Sequence, residues 1–141
     1  MVINRVGPVF LVLTLCIFTR NCHARTVTNI EIKAVGMNNS NDKNAAGACK
    51  QFRPTKNQIV RFFNKAYPVE AHMLTEERYS SCYAEGKLDF SDGHSGKWIL
   101  YSSGIATFIF TRGDVVYLFR KNNKWHDPYS CTYGLSEKAE C

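Results

Sequence analysis

Between Cys82 and Lys121 short apolar segments are separated by turn residues, and this run constrains the fold more than any other feature of the chain. Residues 82–90 read as a strand that ends in Ser91-Asp92-Gly93-His94-Ser95-Gly96, a cluster of turn formers. Residues 97–103 hold Trp98, Ile99, Leu100 and Tyr101 and read as a second strand, which Gly104 breaks. Residues 105–111 and 115–121 are two further strands. Between them lies Arg112-Gly113-Asp114, where glycine supplies the positive φ of a tight hairpin. Successive strands with turns this short pair as an antiparallel meander.

Upstream, residues 26–35 alternate, with Ile30, Ile32 and Ala34 on one side and Glu31 and Lys33 on the other, the pattern of a strand with one buried face. Residues 36–48 are rich in Asn, Ala and Gly without a period, and read as a mobile loop. They include Asn38-Asn39-Ser40, a glycosylation acceptor in a eukaryotic host. In Pro54-Thr55-Lys56-Asn57-Gln58 the threonine can cap a helix while Gln58 reaches back to complete a capping box. Ile59, Phe62, Phe63 and Ala66 then recur at helical spacing, and Tyr67-Pro68 stops the helix. A weaker helical segment covers residues 70–78. Residues 124–141 are aromatic and aperiodic.

The chain opens with Arg5, an apolar run over residues 6–18 and a small residue at Ala24, the three parts of a secretory signal. The run is too short for a spanning helix of about 20 residues, so residues 1–24 are expected to be removed, with no membrane insertion afterwards. Residues 25–141 then form a single domain in the periplasm or outside the cell. A content of 45% hydrophobic and 21% charged residues excludes a disordered or fibrous chain. The net charge of +6 includes Arg5 and Arg20 of the leader, and the remaining basic residues form no stripe of the kind that marks a nucleic-acid surface.

Cys49, Cys82, Cys131 and Cys141 follow the leader, and in an oxidising compartment they argue for two disulfides. No pair has the short ligand spacing of a structural zinc site, and no residue set calls for a metal or cofactor. Three pairings exist. Cys49–Cys82 with Cys131–Cys141 is the preferred one, and Cys49–Cys141 with Cys82–Cys131 is close behind. The expected architecture is α+β: one main helix on a four- to five-stranded antiparallel meander, with a disulfide-held C-terminal tail.

A wider pattern runs through Cys49-Lys50-Gln51-Phe52-Arg53-Pro54-Thr55, Phe62-Phe63, Cys82 with Gly86, and Gly96-Lys97-Trp98. It ends in Trp125-His126-Asp127-Pro128-Tyr129-Ser130-Cys131-Thr132-Tyr133-Gly134. The chain thereby resembles a group of small exported bacterial proteins of unknown function. The resemblance implies a Gram-negative periplasmic or secreted protein, and it brings no activity, substrate or residue roles.

The densest chemistry lies at Trp125, His126 and Tyr129, with Asp127 and Pro128 between them. These side chains could recognise a partner, or they could simply fill space under the tail. Adjacent residues on an extended chain point opposite ways, which argues against His126 and Asp127 acting on one atom. His94 sits among turn formers, and turn chemistry accounts for its neighbours. Arg112-Gly113-Asp114 matches the triplet that adhesion proteins display, and equally a common turn. Glu85, Arg112 and His126 are the residues that a ribonuclease-type hydrolase would need as base, cation and acid, but no ribonuclease motif accompanies them. The expectation is therefore a non-enzymatic module that binds another protein, such as an inhibitor or a toxin-neutralising protein. Its contacts are expected at Trp125, His126, Tyr129 and Arg112, and a small secreted hydrolase is the alternative.

Overall fold

The computed structural model describes residues 25–134, so residues 1–24, read above as a secretory signal, and Cys141 lie outside the described residues. The chain runs β1 (Val27–Asn38), α1 (Lys43–Cys49), α2 (Lys56–Lys65) and β2 (Tyr67–Val69), then a single π-helical turn at Met73–Glu77. It continues through β3 (Cys82–Phe90), β4 (Ser95–Tyr101), β5 (Ile105–Phe110) and β6 (Val115–Phe119). The strands make one six-stranded sheet in the order β1-β3-β4-β5-β6-β2, with every neighbouring pair antiparallel.

The meander read from residues 82–121 is present as β3 to β6. The expected α+β fold, one main helix on four to five strands, is corrected at both margins. β1 pairs with β3 and β2 pairs with β6, giving six strands among the described residues, and the helical content of those residues is two short helices with one π-helical turn. β2 is only three residues long and carries Pro68, so it has no alternation to read. Proline is tolerated there because an edge strand has an N–H row that faces no partner. The stretch 36–48, read as an aperiodic loop, holds the end of β1 and most of α1, which Asp42 caps by accepting the Asn44 N–H at 2.8 Å.

α2 follows its sequence signals closely. Thr55 accepts from the Gln58 N–H, and the Gln58 side chain accepts from the Thr55 N–H at 2.7 Å, which is the capping box. Its buried face, Ile59, Phe62 and Phe63, lies on the sheet. Phe63 stands 5.8 Å from the Trp98 ring and 6.3 Å from Phe108, while Phe62 meets Phe63 edge-on at 5.1 Å. Sheet residues Ala84, Leu88, Trp98, Leu100 and Phe108 complete this core, all buried. Gly86 lies in the same row as Trp98, where a Cβ would come within 2.6 Å of the indole and 2.0 Å of the Glu31 carbonyl. The indole occupies the space that glycine leaves.

Cys49, at the end of α1, is bonded to Cys82, at the start of β3, with Cα atoms 4.9 Å apart. This pairing agrees with the preferred reading. The bond lies inside the body and not in the C-terminal tail, which corrects the expected architecture. The expected Cys131–Cys141 bridge falls on Cys141, outside the described residues, and hydrogen bonds and ring packing also bind the tail to the body.

Candidate functional site

Asp127 is the anchor of the tail. Its carboxylate accepts from the Ser102 hydroxyl at 2.6 Å, from the Tyr133 hydroxyl at 2.7 Å and from the Tyr129 N–H at 3.0 Å. Ser102 belongs to the β4–β5 turn, where Gly104 takes the positive φ (+87°) that closes the turn. Trp125 donates its indole N–H to the Ser102 carbonyl at 2.9 Å and packs 5.8 Å from Phe52 and 6.0 Å from Phe62. The Tyr129 hydroxyl shares a 2.9 Å hydrogen bond with Ser81. Trp125 and Tyr129 therefore bind the tail to the body, and of the expected contact residues in the tail only His126 is exposed. Burial and the Asp127 hydrogen bond both favour the neutral phenol of Tyr133, raising its pKa far above the ordinary tyrosine value.

The expected contact residues are not brought to one place. Arg112 sits at the β5–β6 turn and His126 beside the β4–β5 turn, at opposite ends of β5. Six residues of extended chain separate those ends by about 20 Å. The same separation keeps Glu85, Arg112 and His126 from forming a ribonuclease-type set. At the turn itself the Arg112 guanidinium pairs with the Asp114 carboxylate and lies over the Phe110 ring, so the charges of the adhesion-like triplet face one another. His94 packs edge-on against Phe110, and its Nδ1 lies 3.1 Å from Asp92. Desolvation works to raise the Asp92 pKa, but the His94 backbone N–H and the Arg25 guanidinium prevail and hold it at about 2. Among the described residues no three His, Cys, Asp or Glu side chains are grouped to hold a metal.

Two surfaces emerge that sequence reasoning did not select. One is the sheet face opposite α2. β3 alternates strictly, sending Cys82, Ala84, Gly86, Leu88 and Phe90 inward and Tyr83, Glu85, Lys87 and Asp89 outward. Across the outward rows Tyr83 pairs with Tyr101, Glu85 with Ile99, and Lys87 with Lys97. Ile99 continues to Thr107 and on to Tyr117. The Tyr83 and Tyr101 rings are 6.3 Å apart, and Tyr67 and Tyr79 are more than half exposed. Desolvation chiefly, with the neighbouring tyrosines Tyr83, Tyr117 and Tyr79, raises the Tyr101 pKa.

The other surface is an open cleft of about 490 Å³ at the β4–β5 turn. Arg78, Arg120 and Lys121 bring positive charge to its walls, and Ser103, Asn123, His126 and Asp127 line it as well. Nothing in the local sequence marks Ser103 or Asn123, since a serine before a turn glycine and an asparagine after a strand are ordinary turn residues. Comparison with protein-family models, with curated proteins and with solved structures gives no match.

Proposed function

We propose that this chain is a periplasmic or secreted protein-binding module that engages its partner through the open, tyrosine-bearing face of the sheet. The observation that carries the reading is that outward rows on β3 to β6 hold the half-buried Tyr83, Tyr101 and Tyr117 beside half-buried Ile99 and Ile109 and the exposed Val115, while α2 packs on the other face. Exposed apolar and aromatic patches mark interaction surfaces. Tyrosine suits such a surface because a large rigid ring loses little entropy on docking and keeps a polar tip. Lys87 and Lys97 stand directly opposite each other, an arrangement that disfavours the isolated sheet and that an acidic group on a partner offsets. A rigid body suits this role, and the Cys49–Cys82 bond with the tail clamp provides one.

An internal disulfide is compatible with an extracellular location, and among the described residues no helix is long and apolar enough to cross a membrane. The test is affinity capture from an envelope extract on immobilised protein, followed by calorimetry with the purified partner. A Tyr101→Ser/Tyr117→Ser variant should bind at least about 30-fold more weakly, the loss of one interface anchor. Arg61→Ala, on the exposed side of α2, should bind as wild type does. A folded double variant of unchanged affinity would overturn the assignment of the surface.

A further inference from the structure

We propose that the cleft at the β4–β5 turn binds a small carboxylate with an N–H beside its charge. That unit is shared by N-acylated amino acids and the free C terminus of a peptide. The site rests on residues separate from those of the tyrosine face, so either assignment can fail without the other.

Three observations converge. Ser103 is 6% exposed, lines the cleft, and among the described residues its hydroxyl has no hydrogen-bond partner. Such a group costs stability unless a ligand completes it. Asn123 is the second. Its amide nitrogen donates to the Arg120 carbonyl at 2.6 Å, which fixes the amide orientation and leaves the buried Oδ1, among the described residues, as an acceptor without a donor. The third is charge. Arg78 is oriented by the rings of Phe119 and Tyr133, 4.7 and 5.4 Å from its guanidinium carbon, and Arg120 and Lys121 line the same walls.

Together these groups ask for an oxyanion and, next to it, a hydrogen-bond donor. The Ser103 hydroxyl donates to the anion, the Arg120 guanidinium pairs with it, and the Asn123 Oδ1 accepts the ligand N–H. A monoanion fits better than a phosphate dianion because the Asp127 carboxylate shares the wall and repels a second charge. The volume of about 490 Å³ is that of a small-molecule site, and Trp125 supplies an apolar wall beside the polar groups.

Calorimetric or NMR titration of the folded protein tests this with N-acetylglycine, acetate, N-acetylglycinamide and inorganic phosphate. N-acetylglycine should bind saturably. Acetate, without the N–H, should bind roughly tenfold more weakly, and the uncharged amide should not bind. Ser103→Ala and Arg120→Gln should each weaken N-acetylglycine by roughly ten- to hundred-fold. Ser103→Ala should do so without lowering the thermal midpoint, because it removes a hydroxyl that the fold does not use. A triglycine with a free C terminus that binds as tightly as N-acetylglycine identifies a peptide end as the natural source, and a much weaker one identifies a free small molecule. No saturable binding of N-acetylglycine, tighter binding of phosphate, or affinity unchanged in Ser103→Ala would each overturn the assignment.

Discussion

Replacing Asp127 should detach the tail from the body, and the structure sets the size of the effect. The carboxylate accepts hydrogen bonds from Ser102, Tyr133 and the Tyr129 N–H, and Tyr133 is itself buried. A hydrogen bond to a charged acceptor is worth about 1.5–3 kcal/mol when shielded, and less when solvent competes for the group. Asp127 is half-buried, so the lower end applies. Three such bonds give on the order of 4 kcal/mol for Asp127→Ala, a large share of the roughly 5–15 kcal/mol that holds a domain of this size together. Asp127→Asn keeps the shape and the acceptor for Ser102 and Tyr129 but loses the charge, so it should cost about half as much. Urea unfolding followed by Trp125 fluorescence measures both, and hydrogen exchange at the Tyr129 amide reports detachment directly. A double-mutant cycle with Tyr133→Phe should show a coupling of about 1 kcal/mol or more. A folded Asp127→Ala protein that loses less than about 0.5 kcal/mol would refute the claim that this carboxylate secures the tail.

Three further outcomes follow from the packing and the titration of the body. Phe62→Ala should cost on the order of 3–5 kcal/mol, because the ring is fully buried between Phe63 and Trp125, whereas Lys56→Ala at the exposed helix start should cost little; denaturant curves of both decide it. Reduction of Cys49–Cys82, or its double replacement by serine, should cost about 3–4 kcal/mol, since the bond closes a 33-residue separation in the unfolded chain. Tyr133 keeps its proton in the fold at pH values where the unfolded chain has released it. Its contribution is thus intact below about pH 10 and is lost as pH rises further, with a slope of at most about 1.4 kcal/mol per pH unit, and Tyr133→Phe should flatten that slope in alkaline unfolding curves.

The elements with strong local signals were legible in the sequence. β3 to β6 combine two-residue alternation with Gly-containing turns, and α2 combines a capping box with an apolar stripe, so each was determined by neighbours along the chain. β2 and α1 were not legible, because Pro68 and the Asn-, Ala- and Gly-rich segment hide elements that exist only through tertiary pairing and an Asp42 cap. The pairing of Cys49 with Cys82 was one of several choices that spacing allowed, and the docking of α1 beside β3 decides among them. For function the difficulty was different. Trp125 and Tyr129 look like exposed anchors in a tail, but Phe52, Phe62, Ser81 and Ser102, all distant in sequence, engage them. The expected contacts were placed in the tail and at Arg112 and not on the sheet, although period-two alternation turns Tyr83, Tyr101 and Tyr117 to the opposite face from Trp98 and Leu100. Ser103 and Asn123 gain their interest only from burial without partners, which no local pattern encodes.

Site-directed photo-crosslinking tests the role of the open sheet face most directly. A benzophenone amino acid placed at Tyr117, on the outward rows, is compared with the same probe at Arg61, on the exposed side of α2, in a cell-envelope extract. The account predicts a discrete crosslinked partner from position 117 that excess unlabelled wild-type protein competes away, and none from position 61. A competable crosslink from position 61 alone, or an equal yield of the same partner from both positions, would contradict it.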